Sequence, residues 1–169
     1  PDGVTANAVV VNQTCNGDKD GSVKLVALTG VGPFKYNFDG KGFVDQFIYG
    51  GLTAGTYSYI VQDSKGCEFS GTADVLAPDP IVLYTFAHGI TCNSTQPGSM
   101  DVKLETTSGG TAPFTFYLYD NTMTVKATHI ASTRADALLI HNFPGLDFGD
   151  YFVTVVDVNG CKIESTAIR

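Results

Sequence analysis

MDVKLE, at residues 100–105, alternates apolar and charged side chains at every position. Successive side chains of a β-strand point to opposite faces, so this stretch predicts a strand with one face on a core and the other in water. The stretch SVKLVA, at residues 22–27, places Val23, Leu25 and Ala27 on one face in the same way. Both stretches therefore favour antiparallel sheets that have one solvated face.

Eight further segments have the composition of short strands, with Gly-rich and Asn-Gly turns between them. These segments are 8–11, 33–38, 56–62, 68–75, 81–86, 113–119, 150–156 and 162–168. A weak helical pattern occurs at 132–140. About seven short strands in each half of the chain predict an all-β protein of immunoglobulin-like antiparallel β-sandwiches.

A segment that begins with a cysteine and ends with Gly-Cys occurs twice, from Cys15 to Cys67 and from Cys92 to Cys161. This repeat predicts two tandem domains, residues 1–78 and 79–169, joined by a short connector with two prolines. The first residues contain no leader and no long apolar span, which suggests a segment of a larger mature protein. Repeated modules are typical of structural or adhesive proteins rather than of enzymes.

The four cysteines predict disulfides, because the closely spaced pairs of a thiolate zinc site do not occur. Of the three connectivities, only Cys15–Cys67 with Cys92–Cys161 follows the repeat. Disulfides in turn predict an oxidising compartment, at the cell surface, secreted or periplasmic.

A leucine, a turn glycine and a tyrosine recur in LTAGTY at 52–57 and LDFGDY at 146–151. Each tyrosine enters a late strand, which resembles a tyrosine corner. We therefore expect Tyr57 and Tyr151 to be structural, with each ring in a core and each hydroxyl bonded to backbone upstream.

The second copy differs from the first by a longer segment at 120–142. Insertions on a rigid scaffold often carry specificity, but an extra hairpin that widens one sheet explains the segment equally well. His129 and His141 flank it, and they either share a metal or are solvated loop residues.

Calcium is a candidate ligand of the first copy. If Cys15 and Cys67 are bonded, Asp18, Asp20 and Asp63 converge with backbone carbonyls into the oxygen set that calcium prefers. The alternative is that these aspartates are turn residues that accept hydrogen bonds from nearby backbone.

A sugar or a protein is a candidate ligand of the second copy. Tyr117, Tyr119 and Phe152 lie on the strand faces opposite to the apolar core positions, where an aromatic ridge could stack on a ligand. The alternative is that the inserted segment covers them.

The net charge of −7 argues against nucleic-acid or anionic-membrane partners, and the chain has no apolar span for membrane insertion. It also lacks a nucleophile motif with partners and a phosphate-binding glycine loop. We therefore predict that the protein is not an enzyme and requires no cofactor.

Four motifs of the first copy together resemble the SprB-type repeat. They are CNGDKDGSV at 15–23, GVGPFKY at 30–36, LTAGTY at 52–57 and DSKGC at 63–67. SprB-type repeats occur in very long surface adhesins of Bacteroidota, including one moved along the cell during gliding, and these proteins are typically exported by type IX secretion. The resemblance implies an extracellular, adhesive or scaffolding role beside neighbouring repeats of the same protein. A polysaccharide- or protein-binding module, with or without calcium, is the alternative.

Overall fold

The computed structural model describes residues 3–89 and 97–168, and in these ranges the chain is built from antiparallel sheets with one short helix. The chain divides into two compact units, Pro1–Pro78 (unit 1) and Asp79–Arg169 (unit 2), and the division falls inside the proline connector. The predicted all-β class is confirmed.

Unit 1 contains seven strands in its described residues. They are β1 (Thr5–Val11), β2 (Gly21–Thr29), β3 (Lys35–Phe38), β4 (Phe43–Val44), β5 (Ile48–Leu52), β6 (Gly55–Gln62) and β7 (Glu68–Val75). One sheet has the order β1-β2-β5 and the other has the order β4-β3-β6-β7. Side chains from both sheets meet in one core, which contains Val4, Ala6, Val23, Leu25, Phe38, Tyr59, Val61, Ala73 and Val75.

Unit 2 contains seven strands and one helix in its described residues. They are β8 (Leu83–His88), β9 (Gly98–Leu104), β10 (Phe114–Asp120), β11 (Val125–Ala131), α1 (Arg134–Ala137), β12 (His141–Leu146), β13 (Tyr151–Val156) and β14 (Lys162–Glu164). The sheets have the orders β12-β9-β8 and β11-β10-β13-β14. Both contribute buried side chains, among them Met100, Val102, Leu104, Phe114, Phe116, Leu118, Val153 and Val155.

Period-two alternation in the sequence corresponds to burial in the structure. Met100, Val102 and Leu104 are buried along β9, whereas Asp101 and Lys103 between them are partly exposed. One face of this strand therefore packs in the core of unit 2 and the other meets solvent.

Three strands were not predicted from the sequence, namely β4, β5 and β12, whereas β11 forms a hairpin with β10 in the segment for which an extra hairpin was one of two interpretations. The strand β5 contains Gly50 and Gly51, and β12 contains Pro144 and Gly145, which are residues that weaken strand propensity. Both strands lie at sheet edges, where such residues are tolerated. The segment 120–142 contributes β11, which pairs with β10 at the edge that β4 occupies in unit 1, and then α1.

The two ends of unit 1 are defined by backbone contacts. At one end the β1–β2 loop meets the chain after β7, since Gln13 N donates to Leu76 O over 3.0 Å. At the other end the β6–β7 turn meets the loop after β2, since Ser64 N donates to Val31 O over 2.9 Å. The strand β6 runs from one end to the other.

Candidate functional site

Each unit has a tyrosine hydroxyl bonded to backbone four residues upstream. Tyr57 Oη donates to Thr53 O over 2.8 Å in unit 1, and Tyr151 Oη donates to Asp147 O over 3.2 Å in unit 2. The Tyr57 ring also stacks on buried Phe38, with ring centroids 5.4 Å apart. These contacts hold the crossover between the two sheets of each unit.

A buried aspartate organises the turn after the central strand in each unit. Asp63 Oδ1 accepts hydrogen bonds from Lys65 N and Cys67 N, both at 2.9 Å, and Asp63 Oδ2 accepts one from Val31 N. Burial alone raises the pKa of Asp63, but these backbone donors outweigh it and hold the pKa below its ordinary value.

Asp157 repeats this arrangement in unit 2. Its Oδ1 accepts from Asn159 N and Cys161 N, both at 2.9 Å, and its Oδ2 accepts from Thr111 N at 2.9 Å. In unit 1 one carboxylate thus joins the turn after β6 to the loop before β3. In unit 2 the equivalent carboxylate joins the turn after β13 to the loop before β10.

The proposed calcium ligands do not converge. Asp20 lies in the β1–β2 loop, where Thr14 N donates to both of its carboxylate oxygens at 3.1 and 3.2 Å. Hydrogen bonding to Thr14 lowers the pKa of Asp20. Asp18 lies in the same loop, and its carbonyl accepts from the Gln13 side chain. Asp63 lies at the opposite end of unit 1. A calcium ion bound by Asp18 and Asp20 would therefore not have Asp63 as a ligand. Within 3–89 and 97–168, no group of three or more His, Cys, Asp or Glu side chains could hold a metal.

The predicted Cys15–Cys67 disulfide is wrong. Among the described cysteines, Cys67 is a free and exposed thiol, whereas Cys15 and Cys161 each take part in a disulfide. Cys15 lies in the β1–β2 loop and Cys67 lies in the β6–β7 turn, so the length of β6 separates them. Eight residues of strand span roughly 25 Å, while bonded cysteines have Cα atoms within about 7 Å. Cys92 lies outside the described residues, and so does the predicted Cys92–Cys161 bond.

The three aromatic residues predicted as a ligand-binding ridge lie together on the outer face of the four-stranded sheet of unit 2. Tyr119 and Phe152 are directly opposite each other in the β10–β13 pairing. The Tyr117 and Tyr119 ring centroids are 6.2 Å apart. All three side chains are partly exposed. Tyr117, Tyr119 and Phe152 are called the tyrosine face below.

The two histidines that flank the inserted segment stack on one another. His129 on β11 and His141 on β12 have ring centroids 3.7 Å apart and ring planes within 10°. The nitrogen lone pairs lie in these parallel planes and do not converge on one ion. Burial lowers the pKa of His141, the nearby His129 lowers it further, and Asp136 partly opposes the shift.

A polar and aromatic cluster on the outer face of the β12-β9-β8 sheet was not predicted from the sequence. Asp101 Oδ2 is 2.8 Å from His88 Nε2, and Asp101 Oδ1 accepts from Asn142 Nδ2 over 2.6 Å. The hydrogen bond with His88, followed by that with Asn142, lowers the pKa of Asp101. Phe86 lies directly opposite Asp101 and is 51% exposed.

Two further contacts extend this cluster along the sheet. The Phe86 and His88 rings meet edge to face with centroids 4.9 Å apart, and Lys103 Nζ lies 5.2 Å from the centroid of the Tyr84 ring. The sequence contained one indication of this cluster. Along β8, Tyr84, Phe86 and His88 alternate with smaller or aliphatic residues, which places the three rings on one face. Their partner Asn142 belongs to a strand that the sequence did not predict.

These features define a class of protein: an all-β protein of antiparallel sheets, in which both units contain a tyrosine-to-backbone bond and an aspartate-organised turn. Residues 7–42, which run from β1 into the turn after β3 of unit 1, match the family model described as SprB repeat. The match confirms the resemblance found in the motifs of the first copy, and it suggests a repeat module of a cell-surface adhesin. No curated protein matches the chain. In the ranges 3–89 and 97–168, no helix is long and apolar enough to cross a membrane.

Proposed function

We propose that this chain supplies two tandem structural and adhesive modules to a large secreted bacterial adhesin. The observation that carries the proposal is the repetition of one scaffold. Both units contain the tyrosine-to-backbone bond, the aspartate-organised turn and the same two sheet orders. The SprB match to unit 1 supports an extracellular position on the bacterial surface, beside neighbouring repeats of the parent protein.

The contacts in each unit suit a module that carries tension. In unit 1, the Tyr57 bond holds the start of β6 and the Asp63 bonds hold the turn at its end. The strand β6 therefore has a side-chain anchor at each end in addition to its pairing with β3 and β7. Local opening would have to break these anchors before the sheet separates. No catalytic step and no cofactor enters this role.

The test is exposure on intact cells of the source bacterium. Antibodies raised against this chain should label unpermeabilised cells, and brief external protease treatment should remove the signal. Gliding cells would be followed for movement of the label along the surface, which would extend the proposal to motility. Labelling that appears only after permeabilisation would contradict a surface adhesin.

Recognition of a polysaccharide or a surface protein by the tyrosine face is a second candidate function. The direct pairing of Tyr119 with Phe152 on a partly exposed face favours it. Phe152→Ala should weaken binding to the ligand, while Val9→Ala on unit 1 should not. Repeating the titration in chelator tests the calcium-dependent version of this function.

A further inference from the structure

The same register position carries different chemistry in the two units. In unit 1, Val9 lies opposite Lys24, and Lys24 lies opposite Ile48, which forms a row across three strands. In unit 2, the corresponding row consists of Phe86, Asp101 and Asn142. Val9 and Phe86 are both 51% exposed, so the fold itself does not require an aromatic ring at this position.

The row of unit 2 combines an exposed aromatic side chain with hydrogen-bonding groups. The Phe86 side chain is 51% exposed, and Asp101 lies directly opposite it in the β8–β9 pairing. One oxygen of that carboxylate bonds His88 and the other accepts from Asn142. Each oxygen can accept a further hydrogen bond from a ligand. The Asn142 amide retains its carbonyl oxygen as an acceptor and a second N–H as a donor.

A sugar ring has the complementary chemistry. One side of a pyranose carries mainly C–H groups that pack on an aromatic face, and its rim carries hydroxyls that both donate and accept. The internal bonds of Asp101 to His88 and Asn142 hold these acceptors in place before a ligand arrives, which reduces the entropy lost on binding.

Charge selects among sugars and other ligands. The centre of the row is a carboxylate whose pKa is lowered, so it is ionised at neutral pH, and the whole chain has a net charge of −7. Phosphates, nucleic acids and polysaccharides rich in sulfate or uronic acid would be repelled at this position. A neutral polymer with free neighbouring hydroxyls meets no such penalty.

We infer that the exposed face of β8, β9 and β12 in unit 2 binds a neutral polysaccharide, with Phe86 stacking on a sugar ring and Asp101 and Asn142 bonding its hydroxyls. The inference deepens the proposed adhesive function and rests on it. The site differs from the tyrosine face, which lies on the other sheet of unit 2.

The test is affinity electrophoresis of the whole chain in native gels that contain laminarin, mannan, dextran or alginate. We expect at least one neutral polymer to retard the wild type and the anionic alginate to have no effect. Phe86→Ala should weaken the retardation about tenfold, because it removes the stacking surface. Phe86→Trp should retain binding, and Val9→Ala, at the matched position of unit 1, should leave it unchanged.

Thermal melts of each variant show whether the fold is intact, which is expected because Phe86 is exposed. No retardation in any neutral polymer would overturn the inference, as would retardation by alginate alone. Equal binding by Phe86→Ala and the wild type would also overturn it. If Phe152→Ala abolishes binding and Phe86→Ala does not, the tyrosine face binds the polymer and the site proposed here is wrong. None of these results alters the cell-surface test, so the two proposals can fail separately.

Discussion

Unit 1 and unit 2 share a strand arrangement and differ in the chemistry of their solvent-facing side chains. The buried aspartates Asp63 and Asp157 each accept three backbone hydrogen bonds from equivalent positions. The exposed row, by contrast, changes from Val9, Lys24 and Ile48 to an aromatic and polar set. Groups that satisfy buried backbone donors are costly to replace, whereas exposed positions in a fixed register can change with little effect on stability.

The inserted segment is the second difference between the units. The edge strand has two residues in unit 1, β4, and seven residues in unit 2, β11. The longer strand brings His129 to His141 on β12, which belongs to the other sheet. The longer edge strand thus allows a histidine contact between the two sheets of unit 2. Unit 1 has no such contact, because its sequence contains no histidine.

The largest expected effect separates core from surface within unit 2. Phe116 is 1% exposed, and Phe116→Ala should lower the free energy of unfolding by about 4 kcal/mol because it removes buried apolar surface and leaves a cavity. Phe86→Ala, at an exposed position, is the matched control and should have little effect. Denaturant titration of both variants measures the difference, and equal losses would mean that the exposed row also supports the fold.

A smaller effect compares the two tyrosine corners. Tyr57→Phe and Tyr151→Phe each remove one hydroxyl and should each cost about 1 kcal/mol, the net value of one hydrogen bond. The loss should be greater in unit 1, where the bond is 2.8 Å rather than 3.2 Å. Thermal unfolding of the two variants checks this order. If neither variant loses stability, the tyrosine corner does not contribute measurably to the free energy of unfolding.

The histidine stack predicts a pH effect confined to unit 2. Burial lowers the pKa of His141 in the folded state, so the unfolded chain binds more protons as the pH falls through the ordinary value of about 6.5. Stability is therefore fully present above that pH and declines below it. Thermal melts across this range should show a smaller decline in His141→Gln. An identical decline in the wild type and the variant would exclude His141 as the cause.

The smallest expected effect concerns Cys67. Its thiol is free and exposed, so maleimide should label it in the native, unreduced protein, and peptide mapping should find Cys15 and Cys161 unlabelled. Cys67→Ser should leave the melting temperature unchanged, because the side chain closes no loop. Protection of Cys67 from the reagent, together with a Cys15–Cys67 peptide, would restore the pairing that the sequence suggested.

The sequence was sufficient for features that depend on local pattern. Alternation at residues 100–105 predicted β9 and its buried face, because side-chain direction follows directly from strand geometry. The motifs of the first copy were sufficient for the resemblance to SprB repeats, which the family match to residues 7–42 confirms.

Features that depend on the distance between loops and on strand register could not be predicted from the sequence. The Cys15–Cys67 pairing followed the symmetry of the repeat, but β6 separates the loops that carry the two cysteines. Asp101 and Asn142 are 41 residues apart in the chain. Their contact depends on how β12 pairs with β9, and a shift of one residue in that pairing would turn Asn142 to the other face.

The most direct test of the shared scaffold is to transfer the row of unit 2 to unit 1. In the Phe86→Ala background, whose polysaccharide binding is expected to be about tenfold weaker, unit 1 would receive Val9→Phe, Lys24→Asp and Ile48→Asn, with Val11→His as the counterpart of His88. Affinity electrophoresis in the neutral polymer that retards the wild type is the measurement. If the register and exposure of the two rows are equivalent, binding returns and the melting temperature stays close to that of the Phe86→Ala protein. A folded variant that still fails to bind would contradict the claim that the two units present one scaffold with exchangeable surface chemistry.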